Sequence, residues 1–154
     1  MTPGHNPQRS GSPRLVPPVY GADSMLFIYH FEDNKLFGEA AQDLLRCTEE
    51  GECRLVCSVL SLLEVLVVPK RSGRLDLCQR YRDLFASFPH LSLLPVDAEI
   101  AEIASDLRAR YQIRTPDSIH VASAIAARAD AFVSEDTRLR KIQEIPVLSL
   151  AEIR

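Results

Sequence analysis

Residues 115–136 read TPDSIHVASAIAARADAFVSED. Thr115 is a capping residue, and Pro116 has the fixed φ that suits the first position of a helix. The run that follows predicts a helix over 115–128. Residues 131–134, AFVS, then read as a short apolar strand, with Asp136 just past its end. A helix that feeds a strand, with an acid at the strand's carboxyl end, suits an α/β protein.

The same alternation extends outward. Toward the C-terminus, 137–141 predicts a short helix and 146–149 a strand. Toward the N-terminus, Asp97 caps a helix that runs to residue 111, and 91–96 predicts a strand before it. Residues 75–88 predict an amphipathic helix ended by Pro89. Residues 59–68 predict a helix apolar on almost every side, which reads as buried, ended by Pro69. Before it come a strand over 54–58 and a helix over 35–49, where Leu36, Phe37, Ala40, Ala41, Leu44 and Leu45 recur at i, i+3, i+4. The series opens with a strand over 16–22, weakened at its start by Pro17 and Pro18, and a helix over 24–31. Strands separated by helices imply parallel crossovers, so the expected fold class is α/β: a three-layer sandwich with a mostly parallel central sheet.

Composition bounds the rest. A chain of 154 residues is one domain's length, and 46% hydrophobic with 25% charged residues is ordinary for a globular protein. Residues 1–15 are rich in Pro, Gly, Ser and Asn and read as a disordered arm, so the domain is expected over 16–154. Arg9 and Arg14 in that arm read as tail residues rather than ligand contacts. No run approaches a membrane span, and the N-terminus has no apolar core of a secretory signal, so the expected location is the cytoplasm. Cys47, Cys53, Cys57 and Cys78 lack the spacing of a zinc site and read as small buried residues. There is no patterned glycine loop for phosphate and no Ser–His–Asp arrangement. The net charge of −3 gives no basic footprint for nucleic acid.

Four acids stand out. Asp23 follows the first strand and precedes the apolar run MLFIY. Glu64 is the one charge in VLSLLEVLVV, Asp117 lies in the first turn of its helix, and Asp136 follows the fourth strand. Singly, each has an ordinary reading: a cap, a side chain tipped to solvent, a partner of the helix dipole, a turn residue. Together, their positions suit the carboxyl edge of the sheet, where open α/β proteins bind ligands. If they converge, mutual repulsion of about 3 kcal/mol per close pair requires a cation or a proton. Oxygen-only donors select Mg²⁺ or Mn²⁺ over zinc, and such an ion lets an acidic pocket hold a phosphodiester for hydrolysis. If they do not converge, the chain is an unrelated α/β domain with caps and surface acids.

At these residues the sequence resembles the PIN-domain family, and within it the VapC-type toxins of type II toxin–antitoxin pairs. The matching pieces are Asp23-Ser24, Ser61-Leu62-Leu63-Glu64, Thr115 to His120 with Ala122 and Ala124, and Ser134 to Leu139, over roughly residues 18–150. The resemblance implies a metal-dependent endoribonuclease leaving 5′-phosphate and 3′-hydroxyl ends. Asp23, Glu64, Asp117 and Asp136 would hold Mg²⁺ or Mn²⁺ and position water, with Ser24 and Ser134 in support. It also implies RNA as substrate, a homodimer, and a cognate antitoxin that inserts a segment at the site and carries the contact with DNA. Where the family often has a polar residue two after its first Asp, this chain has Met25. Lys70, Arg71, Arg74, Arg114, Arg138, Arg140 and Lys141 are candidates for substrate contact or plain surface charge. His120, three after Asp117, can face the site but reads as a packed helix residue. The homodimer is also expected from apolar surface on the helices bearing Phe37–Leu45 and Tyr81–Phe88. The alternative is a PIN-like fold without catalysis that binds RNA or a partner.

Overall fold

The computed structural model describes residues 16–153; the expected arm, with Arg9 and Arg14, lies outside them. Five strands alternate with six helices: β1 Val19–Ala22, α1 Met25–Phe31, α2 Gly38–Glu49, β2 Arg54–Ser58, α3 Leu60–Arg71, α4 Leu75–Ser87, β3 Leu91–Leu94, α5 Ala98–Tyr111, α6 Thr115–Ala126, β4 Ala131–Val133 and β5 Val147–Leu148. A 3-10 helix, Thr137–Lys141, links the last two strands. All strand pairs are parallel, in the order β3-β2-β1-β4-β5. The chain winds outward from β1 in one direction through β3, then returns to β1's other side with β4. The switch point therefore lies between β1 and β4, beside the first strand's carboxyl end.

Strand alternation assigns the two faces. Leu55, Cys57, Ala22 and Val133 point into one core with Leu26 and Phe27 of α1, Leu44 and Leu45 of α2, Val65 of α3, and Tyr81 and Phe85 of α4. Edge-on ring pairs, Phe27 with Phe85 and Phe31 with Tyr81, tie α1 to α4. Phe132 and Val147 point the other way, against Ile100, Ala104 and Leu107 of α5 and Val121, Ala122 and Ala124 of α6. This is the three-layer α/β sandwich expected from the sequence.

Several boundaries depart from expectation, each for a backbone reason. β1 begins at Val19, because Pro17 and Pro18 have no N–H for the ladder. β3 stops at Leu94, before Pro95, for the same reason. α2 begins at Gly38 rather than residue 35: Asn34 Oδ1 accepts the N–H groups of Leu36 and Phe37 at 2.9 and 3.0 Å, a local turn that competes with helix. Pro69 does not end α3. It forfeits one helical bond near the helix end, and the turn continues until Gly73, at φ +67°, supplies the left-handed exit. α6 starts at Thr115 with Arg114 as the cap, one residue earlier than the pattern placed it.

Two larger expectations are corrected. α3 is not buried all round: Leu63 and Val68 are 60% and 61% exposed, and Val59 and Val67 are exposed beside them. The apolar faces of the helices bearing Phe37–Leu45 and Tyr81–Phe88 are not free for a partner, since Leu44, Leu45, Tyr81 and Phe85 lie inside the first core.

Candidate active site

Asp23 leaves β1 one residue past its end. Its Oδ1 accepts the Met25 N–H at 3.1 Å, opening α1, and its Oδ2 accepts the Ser134 hydroxyl at 3.0 Å. Thus the backbone of Met25, not its exposed side chain, supplies hydrogen bonding at that position. Ser134 follows β4, so this bond spans the switch point. The same Ser134 oxygen accepts the Asp136 N–H at 3.1 Å, joining the two acids through one hydroxyl.

The Asp23 carboxyl is pushed up to about 6, chiefly because burial disfavours its charge; His120 and the Ser134 hydroxyl pull the other way. Among the described residues no lysine or arginine forms an ion pair with it. Glu64 adds like charge to this environment.

Glu64 sits on α3, which belongs to the first layer, and reaches over the sheet edge to α6 of the other layer. Its Oε1 meets His120 Nε2. That bond, more than any other contact, holds the Glu64 carboxyl below its ordinary range, with Ser24 and Arg114 adding to it against the cost of burial. Glu64 keeps about a third of its side chain open, at 32%, whereas His120 is 3% exposed.

Asp117 and Asp136 line one cleft of about 70 Å³ together with Arg114 and Arg138. Arg114 Nε donates to Asp117 Oδ2 at 3.1 Å. Arg138 forks onto Asp136, Nε to Oδ1 at 3.0 Å and Nη2 to Oδ2 at 2.8 Å, and its backbone N–H donates to the same Oδ1. This pairing keeps the Asp136 carboxyl below its usual range.

The four acids thus lie along one edge: Ser134 joins Asp23 to Asp136, Asp136 shares a cleft with Asp117, and the charge of Glu64 is felt at Asp23. Among the described residues no three His, Cys, Asp or Glu side chains are gathered tightly enough to hold one metal ion as they stand. The donor chemistry nevertheless fits a hard divalent cation. The set is all oxygen, and its innermost carboxylate carries a burial cost that a cation would offset. Arg114 and Arg138, each with 70% of its side chain in solvent, occupy the outer two carboxylates.

Two things escaped the sequence. His120 is not simply packed; it contacts an acid 56 residues away. The one hint was its place three after Asp117, on the same helix face. Arg114 and Arg138 were read as surface charge or substrate contacts, and they pair with the acids themselves. A wider cavity of about 600 Å³ opens among Pro17, Pro18, Gly51 and Cys53, at the amino ends of the strands and away from these acids.

The family described as PIN domain matches residues 22–145. No curated protein matches the chain significantly. Among solved structures, a toxin–antitoxin complex from Klebsiella pneumoniae is 21% identical, with a TM-score of 0.65 over 88% of this chain and 99% of that one. VapBC2 from Rickettsia felis, bound to a DNA fragment from its promoter, is 18% identical, with a TM-score of 0.68 over 85% and 98%. A sarcin–ricin loop cleaving VapC toxin from Mycobacterium tuberculosis is 13% identical, with a TM-score of 0.63 over 83% and 98%. At these identities the likeness is one of fold.

Proposed function

The chain belongs to the PIN domain family, and on that premise we propose that it is a metal-dependent endoribonuclease, the toxin of a type II toxin–antitoxin pair. The observation that carries this reading is Asp23. It is an acid at the carboxyl end of the central strand, part-buried without a lysine or arginine partner, and joined through Ser134 to Asp136 across the switch point. Its hydrogen bonds to Met25 N–H and Ser134 offset only part of the cost of burying the charge, and a bound cation would offset the rest.

In this reading Asp23, Glu64, Asp117 and Asp136 hold Mg²⁺ or Mn²⁺. When bound, the ion acidifies water and neutralises charge that builds on the phosphoryl oxygens. Ser134 fixes the Asp23 carboxylate by donating to Oδ2, and Ser24 helps keep Glu64 ionised. For Asp117 and Asp136 to hold the ion, Arg114 and Arg138 would have to release them. Both would then stand at the rim of the cleft, where a guanidinium matches a phosphodiester. The partners are RNA, a cognate antitoxin and a second copy of the chain, with DNA reached only through the antitoxin. Support for an antitoxin comes from the fold likeness to the two complexes above. The cytoplasm is the location that goes with the toxin–antitoxin reading; separately, no helix among the described residues is long and apolar enough to cross a membrane.

The test is cleavage of an RNA pool with Mg²⁺ or Mn²⁺, with and without EDTA, by wild type and Asp23→Asn. Wild type is expected to cut only with metal, leaving 5′-phosphate ends, and the variant to lose at least a hundredfold, about 3 kcal/mol of transition-state stabilisation. Equal cleavage by both proteins would overturn the assignment. Metal binding without turnover on any RNA would favour a non-catalytic binding module.

A further inference from the structure

His120 is almost fully buried, and its polar contact is with a candidate ligand. An ionised carboxylate can only accept, so the Nε2 that meets Glu64 Oε1 carries the proton. The ring's other nitrogen, Nδ1, is buried and has no hydrogen-bond partner among the described residues. A histidine kept for packing alone is expected to satisfy both nitrogens or to be replaced by an apolar side chain. Here the polar return on burying the ring comes through Nε2. The bond also joins α3 to α6, helices of opposite layers that carry Glu64 and Asp117, so it sets how one acid stands relative to the other.

We propose that His120 is a positioning residue: its Nε2–H holds Glu64 Oε1 and turns the rest of that carboxylate toward the cation site. The proposal rests on the reading of Glu64 as a metal ligand. A donor behind a ligating carboxylate fixes its orientation before the ion arrives, and loss of such a group commonly weakens metal binding by about 10–100-fold.

The experiment is Mn²⁺ titration by calorimetry on RNA-free protein, with melting temperature in EDTA measured alongside. The variants are His120→Gln, His120→Asn and Glu64→Gln, and the last combined with His120→Asn. The glutamine amide reaches as far as Nε2, and the shorter asparagine amide does not. His120→Asn is expected to weaken Mn²⁺ binding at least about tenfold and His120→Gln to recover most of it, even where both melt equally low. With Glu64→Gln already present, His120→Asn is expected to add less than about twofold, because coupled groups are not additive. Equal Mn²⁺ affinity in the two His120 variants, or an undiminished effect with Glu64→Gln present, would overturn the positioning role alone. Wild-type affinity in Glu64→Gln would overturn Glu64 as a ligand, and the proposal with it.

Discussion

Asp23 illustrates how a single residue can lower stability in exchange for chemistry. Its folded carboxyl is raised from 3.8 to about 6, so between those values the folded chain keeps a proton that the unfolded chain releases. Stability from this group is therefore full below about pH 4 and is lost as pH rises through 6. Without metal, Asp23→Asn should stabilise the protein above pH 7 by about 1–2 kcal/mol, allowing for partial contact with water, which is a few degrees in melting temperature. The gain should vanish near pH 4, and added Mn²⁺ should raise the melting temperature of wild type but not of the variant. Scanning calorimetry in EDTA across that pH range reads all three, and a destabilised variant at pH 7.5 would sink the account. Asp23 and Glu64 were legible in the sequence because an acid against an apolar run is out of place in any soluble fold. His120 was not, because its partner comes from a helix 56 positions away and no local pattern records that meeting.

At the scale of elements, the site depends on how closely α6 lies on β1. A Cβ added at Gly21 would stand 2.3 Å from the Ala124 Cβ and 3.2 Å from the Phe132 ring, so glycine on the strand and alanine on the helix set the approach. That approach also places Asp117 and His120, both on α6, over the edge where Asp23 leaves β1. Gly21→Ala is expected to cost about 1–3 kcal/mol through overpacking and to lower metal affinity by displacing α6. Ala124→Gly in the same chain should restore part of the affinity, though less of the stability, since glycine inside a helix costs about 1 kcal/mol itself. Denaturant melts and Mn²⁺ titration of the two variants separate these effects; Gly21→Ala with wild-type stability would refute the close approach. The elements themselves were readable from periodicity, and their ends less so. Pro69 shows why: a proline near a helix end forfeits one bond, and when its ring is buried, as here, packing outweighs that loss.

On the scale of the whole molecule, β–α alternation forced parallel strands and hence layers, but it left the strand order open. The order puts β4 beside β1, and only that pairing lets Ser134 reach Asp23 across 111 positions. The same packing moves the expected dimer surface. Tyr81 and Phe85 are interior, while Val59, Leu63 and Val67, spaced four apart, form an apolar stripe along the outside of α3, with Val68 next to it. If the proposed second copy pairs with this chain, the stripe rather than Tyr81 and Phe85 is the face expected to lose solvent. Leu63→Glu with Val67→Glu is expected to convert a dimer at tens of micromolar into a monomer by light scattering. Its melting behaviour at low concentration should change little, because these side chains give up little burial within one chain. Phe85→Ala should do the reverse, lowering stability by about 3–5 kcal/mol through a cavity in the core while the surviving folded fraction still pairs. A wild-type monomer at that concentration, or an unchanged dimer in the double variant, would remove the stripe from the interface and leave the acidic edge as the molecule's one assigned surface.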